Sequence, residues 1–175
     1  MGQRLTDLSP DGVTDLRSRA IGFIYQTYNL FPGFTVRDNI GLPLRLMLNP
    51  PFDAHQRAQE VMVELALTEL AYRYPPELSG GQQQLVAIAR ALSAKPPLIL
   101  ADEPTANLDT SAARQIMARL RVLTNDGDHG VLLTTHDLRM ASQADRVLNL
   151  RDGRIVKETA IQPTRTATEV VTELA

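Results

Sequence analysis

The sequence predicts an α/β fold: a parallel β-sheet flanked by helices, with a mostly helical block inserted after the first strand. Three observations lead there. Strand-like and helix-like segments alternate through the second half, the pattern of parallel-sheet architectures. Leu98 to Ala101 and Val131 to Thr135 are short continuous apolar runs, as expected of buried parallel strands. Between about Tyr28 and Pro76 the helical period dominates, which marks the insertion.

The elements follow in order. Ser9-Pro10-Asp11-Gly12 is a turn cluster, and Thr14 to Arg19 reads as a short exposed helix. Ile21 to Tyr25 is a strand that stops at Gln26, followed by a loop over Thr27 to Gly33. Thr35 to Leu48 looks helical with breaks at Gly41 and Pro43, and Asn49-Pro50-Pro51 is a hard stop. Asp53 with Gln56 has the spacing of a capping box, and the helix behind it lines up Val61, Met62 and Leu65. Ser79 with Gln82 repeats that spacing ahead of Leu85, Val86, Ile88, Ala89 and Leu92. Pro96-Pro97 ends this helix, and another, carrying Ile116, Leu120 and Leu123, starts near Asp109. Leu138 to Ala144 is a short helix. Arg146 to Leu150 and Arg154 to Lys157 flank Asp152-Gly153, a strong hairpin signal. Residues 1–158 read as one domain, with about 28–95 as its helical part, and 159–175 as a weakly ordered tail.

Composition narrows the function classes. In 175 residues, 43% are hydrophobic and 22% charged, with net charge −2, which gives no electrostatic reason to expect nucleic acid. The absence of cysteine excludes disulfides and thiolate metal sites. No apolar stretch reaches the ~20 residues of a membrane helix, so a membrane role is expected to be peripheral and made through a partner.

The residues able to carry chemistry cluster at predicted strand ends and one helix start. Ser79-Gly80-Gly81-Gln82 opens a helix, where unpaired N–H groups and the dipole favour an anion. Two glycines allow close approach of a phosphate, and Ser79 adds a hydroxyl. Asp102 and Glu103 close the Leu98 strand, the end at which ligands of open α/β sheets bind. Asp102 there can hold Mg²⁺ through water, and Glu103 can polarise a water for in-line attack on a γ-phosphate. His136 closes the next strand and can contact the γ-phosphate or orient that water. Gln26 ends the first strand and offers a carboxamide to Mg²⁺ or water. Asp109, after Asn107-Leu108, has the position of a helix N-cap. His55 and His129 read as structural.

In this order the motifs resemble the ATP-binding subunits of ABC transporters. Gln26 matches the Q-loop, Leu78 to Gln82 the LSGGQ signature, Leu98 to Asp102 with Glu103 the Walker B strand and catalytic glutamate, Ala106 to Asp109 the D-loop, and His136 the switch histidine. Ile21-Gly22-Phe23, Asn29-Leu30-Phe31-Pro32 and Gln82-Gln83-Gln84 are similar to the bacterial branch of lipoprotein release and macrolide export.

The resemblance implies a P-loop NTPase fold of the ABC ATPase kind, a three-layer core with an inserted helical subdomain. It also implies ATP and Mg²⁺ at the interface of two such subunits, and a membrane-spanning partner gripped near Tyr28 to Phe34. The location would be cytoplasmic, on the inner face of the plasma membrane. Ser79, Gly80, Gly81, Gln82, Gln26 and Asp109 would bind nucleotide, Asp102 and Gln26 would serve the metal, and Glu103 and His136 would be catalytic.

Two departures stand out. No G-x-x-x-x-G-K-[ST] loop occurs, and the only lysines are Lys95 and Lys157. The family's β-subdomain and Walker A strand, loop and helix are therefore expected to be missing. That would leave strand edges and an apolar seam uncovered, with impaired nucleotide binding by the chain alone and a tendency to associate. The alternative is a non-catalytic paralogue or gene fragment that lends only a signature face to a heterodimer. Leu85 also stands where the branch usually has a basic residue.

Overall fold

A computed structural model describes residues 4–47, 49–125, 127, 129–161 and 170–172. The chain divides into two compact units, Met1–Leu133 and Thr134–Ala175.

The first unit opens with α1, Pro10–Ala20. This helix is longer than the sequence reading of Thr14 to Arg19. The Ser9 hydroxyl accepts the Gly12 N–H and Pro10 occupies the first turn, so the cluster read as a turn is the helix start. β1 (Ile21–Ile24) follows directly, and then the Gln26 loop leads to α2 (Val36–Arg45). Gly41 and Pro43 do not break α2. A Cβ at Gly41 would lie 3.0 Å from the Ala54 carbonyl oxygen, so glycine here admits the start of the next helix. Beyond Pro43 the Leu46 N–H still reaches the Leu42 carbonyl at 3.2 Å. Leu48, the end of the expected helix, lies outside the described residues.

α3 (Ala54–Glu64) is capped by Asp53, which accepts the Gln56 N–H at 2.8 Å. The Gln56 side chain turns to Glu60 instead of returning to complete the box. Short 3-10 turns at Thr68–Leu70 and Pro75–Glu77 lead to α4 (Gly80–Leu92). From Val86 to Leu92 every α4 residue is buried, because the helix packs against α2, α3, β1 and the later helix α5, Thr110–Asn125. Gly22 shows how close that packing is, since a Cβ there would lie 2.6 Å from the Ala91 carbonyl oxygen.

β2 (Leu98–Asp102) pairs in parallel with β1, Ile21 opposite Leu98 and Ile24 opposite Ala101. α5 then leads to β3, Gly130–Thr134. The sheet order is β1-β2-β3. β3 corrects the expectation of a second buried strand: its residues alternate between exposed and half-buried, and Leu132 is 58% exposed. As an edge strand it is covered by β2 on one side only, and an apolar run of this length reads the same at an edge as in the interior.

In the second unit, α6 is Leu138–Ala141, one turn shorter at its end than the sequence suggests. β4 (Arg146–Arg151) and β5 (Arg154–Ala160) form an antiparallel hairpin. Asp152 and Gly153 have φ of 49° and 73°, the tight turn their dipeptide predicts. Ala141 and Val170 form a small core with Leu138, Val147 and Ile161 packed on it. Residues 162–169 and 173–175 of the expected tail lie outside the described residues.

Candidate functional site

The site begins at the tip of α4. Ser79 is its N-cap: the hydroxyl accepts the Gln82 N–H at 3.3 Å, and the Gln82 side-chain oxygen accepts the Ser79 N–H at 2.9 Å. The capping box read from the sequence is therefore complete. An oxygen that accepts a backbone N–H keeps its own hydrogen to donate, so capping leaves the Ser79 hydroxyl able to serve an anion. The first helical bond runs from the Gln83 N–H to the Ser79 carbonyl at 2.9 Å. Gly80 and Gly81 thus present the tip amides that such a helix leaves outside its own ladder.

Two loops meet at this tip. A Cβ on Gly80 would lie 2.9 Å from the Tyr28 hydroxyl oxygen, 3.6 Å from Leu108 Cδ2 and 3.8 Å from the Asn107 carbonyl oxygen. A side chain here would have to displace the Tyr28 hydroxyl, so glycine suits the junction. Asn107 also donates from Nδ2 to the Gln26 carbonyl at 2.9 Å, joining the turn after β2 to the turn after β1. Asp109 caps α5, accepting the N–H groups of Ser111 and Ala112 at 2.8 and 2.9 Å.

The parallel register sets the acids beside the glutamine. With Ile24 opposite Ala101, the chain emerges from both strands at the same sheet end, bringing out Gln26 from one and Asp102 and Glu103 from the other. Gln26 and Asp102 are exposed. Glu103 has φ 44°, a left-handed conformation that costs a non-glycine residue about 1–2 kcal/mol and is typical of functional positions. His136 belongs to the second unit. It is exposed and follows β3, and beside it Asp137 accepts the Arg139 N–H and caps α6. The Asp137 carboxyl is held below its ordinary value, first by the Arg139 side-chain hydrogen bond.

Sequence reasoning missed the residues that hold these turns in place. Arg90, 9% exposed, donates to the carbonyls of Tyr28 (2.9 Å) and Asn29. Those two residues have φ of 63° and 49°, so one guanidinium clamps two consecutive left-handed residues. Burial lowers its pKa. Asn39, fully buried, accepts the Phe31 N–H at 2.8 Å and donates to the carbonyls of Phe31, Phe34 and Thr35. Phe31 and Phe34 stack on each other and stay exposed. An arginine amid the apolar run of α4 was the available signal, since a buried arginine needs partners. Of the histidines read as structural, the His129 ring meets the Pro96 carbonyl at 2.6 Å, and His55 accepts from Arg37 at 3.4 Å.

An α/β domain with a capped, glycine-rich helix start and with acids at the carboxyl end of a parallel strand has the architecture of the P-loop NTPase folds. The model of the ABC transporter family matches residues 2–106. The chain is 40% identical over 158 residues to the macrolide export ATP-binding/permease protein MacB of Azoarcus sp., covering 90% of this chain and 24% of that protein. It is 40% identical over 149 residues to the lipoprotein-releasing system ATP-binding protein LolD of Hyphomonas neptunium, covering 85% of this chain and 65% of LolD. The dimeric ATP-binding cassette MJ0796, in a post-hydrolysis state bound to ADP and Pi, superposes with a TM-score of 0.78 at 38% identity, over 89% of this chain and 69% of that one. The chain belongs to the ABC transporter family and carries the α/β fold of its ATP-binding cassettes.

Proposed function

We propose that the chain is an ATP-binding, ATP-hydrolysing component of an ABC transporter of the LolD and MacB kind, coupling hydrolysis to export or lipoprotein release. It would work on the cytoplasmic face of the plasma membrane, through a membrane-spanning partner. The observation that carries this reading is the junction at Gly80, where the signature tip, the Gln26 turn and the Asn107–Asp109 turn meet around a helix start with a hydroxyl hydrogen and amides to offer. Among the described residues no helix is long and apolar enough to cross a membrane.

Mg-ATP is the substrate in this reading. At the signature tip the Ser79 hydroxyl and the Gly80 and Gly81 amides hold the γ-phosphate of a nucleotide whose phosphate loop belongs to a second cassette. Gln82 keeps the tip in shape, and Asp109 fixes the turn beside it. The oxygen donors at the ends of β1 and β2 suit Mg²⁺: a carboxylate on Asp102 and a carboxamide on Gln26, both exposed. No group of three acidic or histidine ligands occurs among the described residues, and magnesium, which keeps much of its water and binds phosphate, needs none. When bound, the ion neutralises charge on the phosphate oxygens. Glu103 polarises the attacking water; the catalytic role of His136, in the second unit, rests on the motif order alone. The stacked, exposed Phe31 and Phe34 offer an apolar face for the membrane partner.

Because the sequence contains no G-x-x-x-x-G-K-[ST] loop, a second reading has this chain lending its signature face to a complete cassette. Mixing the chain with a complete cassette whose own signature is disabled separates the two. Restored Mg-ATP turnover, lost again on Ser79→Arg, supports the shared site, and failure to restore any turnover removes it. Alone, the chain is expected to bind ATP more weakly than micromolar and to turn over no faster than its Glu103→Gln variant. Saturable turnover abolished by that substitution would show that it needs no partner loop.

A further inference from the structure

Gln84 is fully buried on α4 and takes no part in the capping box. Its Nε2 donates to the Pro104 carbonyl at 2.8 Å, while its Oε1 has no partner among the described residues. The amide orientation is fixed by chemistry, because a carbonyl can only accept. A buried side-chain oxygen without a donor is unfavourable, and a methionine of similar length would fill the space without that cost. What the glutamine adds is one donor, delivered to the residue after Glu103.

That residue matters because of the backbone it follows. Glu103 sits at φ 44°, and a residue before proline is already restricted by the ring. The turn is closed by the Ala106 N–H on the Glu103 carbonyl at 3.2 Å and the Leu108 N–H on the Thr105 carbonyl at 3.2 Å. Pro104 and Thr105 are buried. Strained backbone persists where its surroundings over-determine it, and Gln84 is the side chain that reaches this turn from α4.

We propose that Gln84 is a positioning residue for Glu103: by holding the Pro104 carbonyl it keeps Glu103 in its left-handed conformation and so sets the direction of its carboxylate relative to the signature helix. The proposal rests on the reading of Glu103 as the water-polarising group. It also makes α4 a strut common to the Gln26 loop through Arg90, the signature tip through Ser79, and the Glu103 turn through Gln84.

The test is NMR on the isotope-labelled full chain without nucleotide, so its result is independent of whether Glu103 serves turnover. In the wild type, a through-hydrogen-bond coupling should link Gln84 Nε2 to the Pro104 carbonyl carbon, and the Glu103 HN–Hα coupling and Cα shift should report the left-handed conformation. Gln84→Met should abolish that Glu103 signature and speed exchange of the Ala106 amide on the order of tenfold, while β1 amides stay protected. In Q84E the ionised carboxylate cannot donate, but burial favours its protonated form, so acidification should restore the Glu103 signature. Three results would overturn the proposal: no coupling in the wild type, an unchanged Glu103 signature in a folded Q84M, or a Glu103 signature still absent from folded Q84E at low pH. Where both variants fail to fold, mild warming of the wild type decides the matter: a Glu103 signature that outlasts the Gln84–Pro104 coupling would overturn the proposal, and loss of the two together supports it.

Discussion

Helix α4 and strand β3 are both rich in apolar residues, and they meet opposite surroundings. α4 is enclosed by α2, α3, α5 and β1, and its two buried long polar side chains, Gln84 and Arg90, end on backbone carbonyls of neighbouring turns. β3 has β2 on one side and leaves Leu132 mostly in water. The hairpin of the second unit resembles β3 in this, with Leu150, Ile155 and Val156 all more than half exposed. Apolar side chains repeated along strands at water-facing positions mark surface suited to being covered. Within the first unit the surroundings of α4 are thus a finished side, where the signature tip lies, while β3 and, separately, the hairpin of the second unit are strands that are apolar but uncovered. Stability is expected to be concentrated on the finished side, and association on the uncovered strands.

The sharpest way to break this contrast is to crowd the finished side. In Gly22→Ala the new Cβ would meet backbone atoms of Ala91, the carbonyl oxygen at 2.6 Å and its carbon at 3.2 Å. Backbone cannot rotate aside, so β1 and α4 must separate, at a cost of about 3 kcal/mol. Leu132→Ala, on the exposed edge, is expected to stay within about 0.5 kcal/mol. Urea midpoints of the two variants test the contrast directly, and similar losses would refute it.

Arg90→Met comes next. It keeps the stem that packs in α4 and removes the donors to Tyr28 and Asn29. Two left-handed residues would lose their clamp, and we expect a loss of about 2 kcal/mol. Amide exchange should rise selectively over the Gln26–Phe31 loop. Uniform acceleration through α4 would mean that Arg90 supports the core in general and not this loop.

How far the sequence foretold these regions depends on how local each determinant is. Ser79 with Gln82, Asp53, and Asp152-Gly153 act within three residues, and all appear where their spacing put them. Ser9-Pro10 was equally local and was misread as a turn because proline opens helices as readily as it opens turns. The roles of Gln84 and Arg90 depend on partners 20 and 61 or 62 residues away, which no helical period reveals. Gly41 and Pro43 looked like breakers, but the close packing of α3 on Gly41 favours glycine at a helix crossing. The apolar run of β3 specified a strand and was silent on how many neighbours that strand would have. For the site, the motif order named Gln26, Ser79 and the Asn107 turn but not their meeting at Gly80, which rests on contacts across 28 and 81 residues of chain; the left-handed backbone of Glu103 had no sequence signal beyond the proline after it.

A smaller effect on stability, with a larger one on association, is expected at the uncovered hairpin. Leu150 is 70% exposed, so Leu150→Lys removes little native packing and should change the urea midpoint by less than the equivalent of about 0.5 kcal/mol. Light scattering at rising concentration should show less self-association in this variant than in wild type. If Leu150→Lys associates as readily as wild type, the exposed hairpin face is not the sticky surface.

The smallest expected effect lies at the margin of the finished side, where α2 begins. The Thr35 hydroxyl donates to Asp38 while accepting the Asp38 N–H, and Arg45 pairs with the same carboxylate at 3.0 Å. The Thr35 hydrogen bond first, and Arg45 after it, hold the Asp38 carboxyl below its ordinary 3.8. A carboxyl depressed on folding stabilises the protein above its unfolded pKa, and this contribution fades as pH falls through the lower folded value. Asp38 is about a third exposed, so solvent screens the pair and the gain is only about 0.5 kcal/mol. Asp38→Asn should therefore be slightly less stable than wild type near pH 7, with the gap closing below pH 4 and shrinking in high salt. A gap that persists undiminished at pH 3 would show that Asp38 acts there through shape and not through charge, and that the electrostatics of the α2 entrance add nothing to the stability of the finished side.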